Sequence, residues 1–354
     1  MRRAWSWIPV LGVLLSVTML RSMAQSETPS GDLPPCIQRA HALDQPWIPV
    51  RSACLEAVID DESLGALAFT ALAAGDEGAL YATRPFAGEV IVLRDTDGDL
   101  LPDAPSTLID GLILPNGLAY AGGTLYITAG DTLYRWENGS LEMLVDGLPG
   151  LPTDGGYWLG GVTVHDGRVY IGIGAACDTC LDTDPDRGLI ASYALDGSDR
   201  RVEMRGLLQP NDLDFVGERL FVADAAQDAL FIREPGGDVQ SIRIEFPAQT
   251  RPLGLAYYSG DALSFITDQV LLVESGSVNT VDMHGYTIVR VDPATEEQHA
   301  IMPSPNDVFT NMEMNLRGSG FFPHRPLDVT VSPEGWVYIS ITEGRILALR
   351  PFTE

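Results

Sequence analysis

One short unit recurs along this chain and limits what it can fold into. An alternating apolar strand, a Gly-bearing turn and a second strand that opens on an aliphatic–aromatic pair follow one another. The unit starts at Leu67 ("LAFTALAAGDEGALYAT"), Asn116 ("NGLAYAGGTLYITAG"), Gly160 ("GGVTVHDGRVYIGIG"), Asn211 ("NDLDFVGERLFVADA"), Leu253 ("LGLAYYSGDALSFITDQVLLVES") and Leu327 ("LDVTVSPEGWVYISI"). Its anchors Leu67, Leu118, Val162, Leu213, Leu255 and Val329 are 51, 44, 51, 42 and 74 residues apart. Most of these spacings match one four-stranded propeller blade. Third and fourth strands often follow, as in "LYRWENGSLEMLV" (Leu133 to Val145), where Asn138-Gly139 marks a hairpin. Helical periodicity is nearly absent, and 36 Gly with 24 Pro suit frequent tight turns. The expected fold is all-β: a six-bladed β-propeller of four-stranded antiparallel blades over residues 61–354. The last unit shows three clear strands, ending near Arg350. The segment around Trp47 to Ala57 is expected to supply the fourth and bury an otherwise open edge.

The ends and the composition narrow the class. Arg2 and Arg3, the apolar run Trp5 to Leu20, and the small residues Ser22-Met23-Ala24 read as a secretory signal cleaved after Ala24. The run is short for a membrane span, so the expected location is secreted or periplasmic. Residues 25–60 form an extension ahead of the ring. Four cysteines in an exported chain admit three pairings. The simplest joins Cys36 to Cys54, stapling the ring closure, and Cys177 to Cys180. A redox Cys-x-x-Cys needs a βαβ setting, a c-type haem needs His where Leu181 stands, and two Cys alone make a poor zinc site. A formal charge of −27 repels nucleic acid and anionic membrane. All 22 basic residues are Arg, which excludes Schiff-base chemistry and lysine general bases.

In a propeller, the loops leading into the inner strands converge on the mouth of the central channel. Here they read "LPNG" (Leu114 to Gly117), "GGYWLGG" (Gly155 to Gly161), "LLQPND" (Leu207 to Asp212), "TRPLG" (Thr250 to Gly254) and "HRPLD" (His324 to Asp328). They offer Asn116, Tyr157, Trp158, Gln209, Asn211, Asp212, Arg251, Arg325 and Asp328 as a polar mouth, although Asn, Asp and Pro also serve as plain turn residues. Met302 to Arg325 carries little strand pattern; it is either a lid over the channel or a surface insertion. "DTDGDLLPD" sets Asp95, Asp97, Asp99 and Asp103 at positions 1, 3, 5 and 9 of a calcium loop. Leu100 and Ser106 stand where such a loop uses Gly and an acid, so a solvated acidic turn is the competing reading. Any metal there is expected to be structural.

Several stretches resemble the soluble glucose/sorbosone dehydrogenase family, six-bladed quinoproteins that use pyrroloquinoline quinone (PQQ), and most of all its sorbosone dehydrogenase branch. They are "VIVLRDTDGD" (Val90 to Asp99), "GAACDTCLDTDPDRGLIASYALDG" (Gly174 to Gly197), "PLGLAYY" (Pro252 to Tyr258), "ESGSVN" (Glu274 to Asn279) with "HGYTIVRV" (His284 to Val291), and "RPLDVTVSPEGWVYIS" (Arg325 to Ser340). The resemblance implies hydride transfer from a sugar or alcohol to the quinone, with a His as base and with calcium and an Arg polarising the quinone carbonyl. Position by position, the family's base is Tyr157, ahead of a retained Trp158. Its Arg-Asn before Pro reads Leu208-Gln209. Its calcium loop keeps only Asp224 and Asp228, and a further His is Ser275. A general base contributes roughly 10²–10⁴-fold, and a tyrosine, with an ordinary pKa of about 10, is a weak base at neutral pH. The expected catalytic candidates are therefore Tyr157 and His324, with Trp158, Gln209, Asn211, Asp212, Arg325 and Asp328 around the PQQ.

Two other functions compete with a PQQ-dependent sugar or alcohol oxidoreductase. "LPNGLAY" and "QPNDLDF" also resemble the gluconolactonase family, which implies a calcium held near the mouth by residues such as Asn116, Asn211 and Asp328. There the metal would polarise a lactone carbonyl and activate water. The third reading is a non-catalytic propeller that binds a sugar or a protein, since a fold does not fix a function.

Overall fold

The computed structural model describes residues 53–61, 64, 67–96, 102–150, 157–177, 184–236, 242–277, 284–302, 325–342 and 344–351. They form six four-stranded antiparallel sheets arranged as a six-bladed β-propeller. The inner strands, blade 1 to blade 6, are Leu72–Ala74, Pro115–Ala121, Leu159–His165, Pro210–Val216, Pro252–Tyr258 and Pro326–Val331. Blades 1 to 5 each use four consecutive strands. Blade 6 takes Pro326–Val331, Val337–Ile341 and Arg345–Pro351 from the end of the chain, and its outer strand, Ala53–Asp60, from the beginning.

The closing strand runs antiparallel to Arg345–Pro351 and pairs Cys54 with Arg350 and Leu55 with Leu349. Its described part, Ala53–Asp60, overlaps the expected segment at 53–57 and runs three residues past it; residues 47–52 lie outside the described residues. Blade 1 calls for a correction as well. Leu67 is not in its inner strand but precedes it, in a left-handed turn (φ 56°). Leu72 holds the place that Leu255 holds in blade 5, since each donates its N–H to an aspartate of the blade before, Asp328 and Asp212 respectively (2.6 and 2.7 Å).

The repeat exists because no blade buries its own faces. Between blades 1 and 2, Tyr81, Val90 and Val92 pack with Leu118, Leu125 and Ile127. Between blades 5 and 6, Leu271, Val273 and Ile288 pack with Val329, Ile339 and Leu347, joined by Ala53 and Leu55 of the closing strand. Each apolar sheet face is thus covered by the next blade. The expected signal sequence (1–24), Cys36, Cys180 and His324 lie outside the described residues, as does most of the expected lid (303–324). Cys54 and Cys177 are each disulfide-bonded.

Candidate functional site: the channel and its mouth

The inner strands do not start cleanly. In blades 2 to 6 the register with the second strand slips at the outset, between Pro115 and Gly117, Leu159 and Val162, Pro210 and Asp212, Pro252 and Leu255, and Pro326 and Asp328. A bulge re-aims the extra side chain. In blades 2 and 4 that residue is Asn116 or Asn211, each following a Pro. Asn116 Nδ2 donates to Leu159 O of blade 3 (2.8 Å), and Asn211 Nδ2 donates to Leu253 O of blade 5 (3.3 Å). Each NH₂ is thereby pinned to a carbonyl, which fixes the amide's orientation. Each Oδ1 accepts no hydrogen bond from the protein.

Both asparagines stand where two cavities meet. The outer one, at the mouth, encloses about 330 Å³ and is lined by Tyr157, Trp158, Gln209, Arg251 and the two asparagines, with Leu67, Leu253 and Leu327 as apolar wall. The inner one, in the channel, encloses about 210 Å³ and is lined by the same asparagines with Asp212, Asp214 and Asp328. Residues far apart in sequence therefore share one funnel. Tyr157 donates its N–H to Ala175 O (3.2 Å), and Trp158 meets Phe86 edge-on at 6.2 Å. Arg251 is the one cation among the described residues that line the mouth.

The channel carboxyls are unusual. Asp212 accepts the N–H groups of Leu213 and Leu255 (2.9 and 2.7 Å), and Asp328 accepts that of Leu72 (2.6 Å). Each carboxyl so ties its blade to the next. Glycines make room for them: a Cβ on Gly161 would collide with Asp212 Oδ1, and one on Gly254 with Asp328 Oδ1. Protein surrounds both groups except toward the channel. Burial first, and then the neighbouring Asp328, hold Asp212 well above the usual carboxylate range. Burial pushes Asp328 up to about 7, and the backbone N–H groups of Leu72 and Val329 pull it partly back. Each of the two carboxyls therefore favours its neutral form more than a solvated aspartate does. Asp214, not foreseen as a site residue, is raised by burial. It stands two residues beyond Asp212, so strand alternation alone would have placed it on the same face.

Other expected residues go elsewhere. Arg325 is not at the mouth. Its guanidinium donates to Gly276 O, Ser277 O and Tyr286 Oη and lies 5.0 Å above the Tyr286 ring, clamping a loop of blade 5. Asp224 is fully buried and accepts the N–H groups of Leu208, Gln209, Ala226 and Gln227, so it organises a turn. Asp97 and Asp99 lie outside the described residues. Asp103 accepts both the backbone N–H and the hydroxyl of Thr96. Its loop joins the third and fourth strands of blade 1, at the opposite end of the blade from the mouth. No group of three or more His, Cys, Asp or Glu able to hold a metal occurs among the described residues. His165 stacks on Phe215 at 3.9 Å, away from the mouth.

Fold and site together define a six-bladed propeller with a polar funnel at one end of its channel. No family model matches the chain, and no curated protein does. Solved structures do. The holo PQQ domain of pyranose dehydrogenase from Coprinopsis cinerea is 13% identical, with a TM-score of 0.63 over 87% of this chain and 98% of that one. A calcium structure of a family AA12 carbohydrate-active enzyme from Trichoderma reesei is 15% identical (TM-score 0.61, 87% and 98% covered). A gluconolactonase from Xanthomonas campestris is 16% identical (TM-score 0.60, 88% and 96% covered). The chain shares the propeller of sugar dehydrogenases and gluconolactonases, and at these identities the likeness is one of fold.

Proposed function

We propose that the mouth binds a small sugar-derived ligand and that the protein opens sugar lactones with the help of calcium. The observation that carries this reading is the pair of pinned asparagines. Asn116 and Asn211 present amide oxygens free of protein donors at the junction of the two cavities. Asp212 and Asp328 line the channel just beyond, near enough for the charge of Asp328 to raise Asp212. Hard cations favour such oxygens, and two neighbouring buried carboxyls resist carrying two negative charges unless a cation offsets them. Calcium held by these four residues would supply a Lewis acid for a lactone carbonyl. Gln209 and Tyr157 supply hydrogen-bonding groups for ligand hydroxyls, and Trp158 supplies an apolar face for the C–H side of a sugar ring.

PQQ fits the described residues poorly. It is a polyanionic quinone, whereas the described mouth carries one cation, Arg251, no His, and carboxyls in the adjoining channel. No step is therefore built on it. Export by a signal at residues 1–24 and a sugar or alcohol as the small-molecule partner belong to the same proposal. The test is to follow ring opening of glucono- and galactono-lactones by the secreted protein. Activity is expected to vanish with chelator and return with calcium, and Asn116→Ala or Asn211→Ala is expected to lower it at least tenfold. Dye reduction on addition of PQQ and an aldose, without lactone opening, would instead restore the dehydrogenase reading.

A further inference from the structure

We propose that Arg251 selects ligands bearing a carboxylate, so that the mouth prefers sugar acids to neutral sugars. The inference rests on the reading of the mouth as a sugar site and names the ligand's charge. Four inner strands follow an Xaa-Pro step, at Leu114, Gln209, Arg251 and Arg325. Two of these positions carry Arg, and the two have opposite fates. Arg325 is occupied by the blade 5 loop. Arg251 is half-buried and lines the mouth cavity, and its guanidinium makes no hydrogen bond or ion pair with the protein.

That freedom is unexpected in a chain with 49 acidic residues and 22 arginines. Many of the other arginines are paired, among them Arg84, Arg135, Arg168, Arg200, Arg219 and Arg345. An acid even lies beside Arg251, yet Asp228 bonds the backbone: its oxygens accept the N–H groups of Arg251 (2.9 Å) and Gln249 (2.7 Å). Ser275 N–H donates to Arg251 O (3.0 Å). The backbone of Arg251 is thus held from both sides in a left-handed conformation (φ 53°). Leu114 adopts the same conformation (φ 48°) at the matching step of blade 2, so the geometry does not require arginine. What arginine adds is a planar, permanently charged fork beside the neutral hydrogen-bonding groups of Gln209, Asn211 and Tyr157. A polyhydroxylated carboxylate matches that combination, and the hydroxy acid released by lactone opening is one.

Calorimetric titration of the full protein with gluconate and with glucitol, which differ at the carboxylate, tests this, both with and without added calcium. Gluconate is expected to bind about tenfold more tightly or better. Arg251→Gln should bring the two affinities together, and Arg251→Lys should restore part of the difference, with thermal melting reporting that both variants fold. Equal binding of glucitol and gluconate, or a preference that survives Arg251→Gln (as it would if calcium alone held the acid), overturns the inference and leaves the sugar site standing. Binding of neither compound overturns both.

Discussion

Glu274 pairs with Pro252 in blade 5 and is buried to 7% exposure, one residue before Ser275. Burial, and then the charge of Asp228, push its pKa from 4.5 up to about 7. The unfolded chain releases this proton near the lower value, and the folded protein holds it to the higher one. The native state therefore binds the extra proton, and stability falls as pH rises through that window. A shift of this size corresponds to a loss on the order of 3 kcal/mol once the group is ionised. Glu274→Gln has no such titration. In urea unfolding at pH 5 and pH 8, wild type should lose clearly more stability than the variant; matching losses would show that Glu274 is not responsible. At this scale the sequence was legible in kind and not in role. The Pro-Asn pairs at Asn116 and Asn211 stand out, but their pattern is equally that of turn residues. The bulge that aims them is created by pairing with a second strand and leaves no local mark. Arg251 and Arg325 look alike in sequence, because what separates them is a loop of blade 5 that touches both but bonds only the guanidinium of Arg325.

Among the strands, the closing one depends most on a few contacts. Glu56 and Arg350 form an ion pair at 3.0 Å with side chains 1% and 5% exposed, and the guanidinium lies 4.4 Å above the Trp336 ring. Removing one member of such a pair leaves the other charge buried and typically costs about 3–5 kcal/mol, whereas replacing both with apolar groups is often close to neutral. Glu56→Gln and Arg350→Met should therefore each cost about 3 kcal/mol or more, and Glu56→Leu with Arg350→Met less than either alone. Chemical denaturation of the three variants checks this; a double variant at the sum of the single losses would mean that the two residues act independently. Strands that open on an aliphatic–aromatic pair after a turn, such as Arg219–Asp224 and Val337–Ile341, were readable from their pattern. The inner strand of blade 1 was not. "ALAFTALAAG" is apolar but for Thr70, so periodicity gives it no phase, and its start at Leu72 is set by the amide that Asp328 accepts.

The ring as a whole was the most legible level, because six copies of one pattern reinforce a signal that each carries weakly. The funnel followed from the ring, and its chemistry followed less well, since Asp212 and Asp328 become neighbours only when blades 4 and 6 take their places on either side of blade 5 around the channel. Net charge and this pair lead to opposed expectations for cations, and melting can separate them. A chain at −27 repels itself, and monovalent salt should relieve this by shortening the screening length from about 30 Å at 0.01 M to about 8 Å at 0.15 M. The melting temperature should therefore rise with sodium chloride and level off, by on the order of a few degrees. Calcium at matched ionic strength adds nothing if it acts by screening alone. If it occupies the asparagine–aspartate site of the native state, the midpoint should keep climbing with the logarithm of calcium concentration above its dissociation constant. Asp328→Asn should abolish that climb while leaving the sodium response in place. Superimposable calcium and sodium curves for wild type would remove the metal from the proposed function.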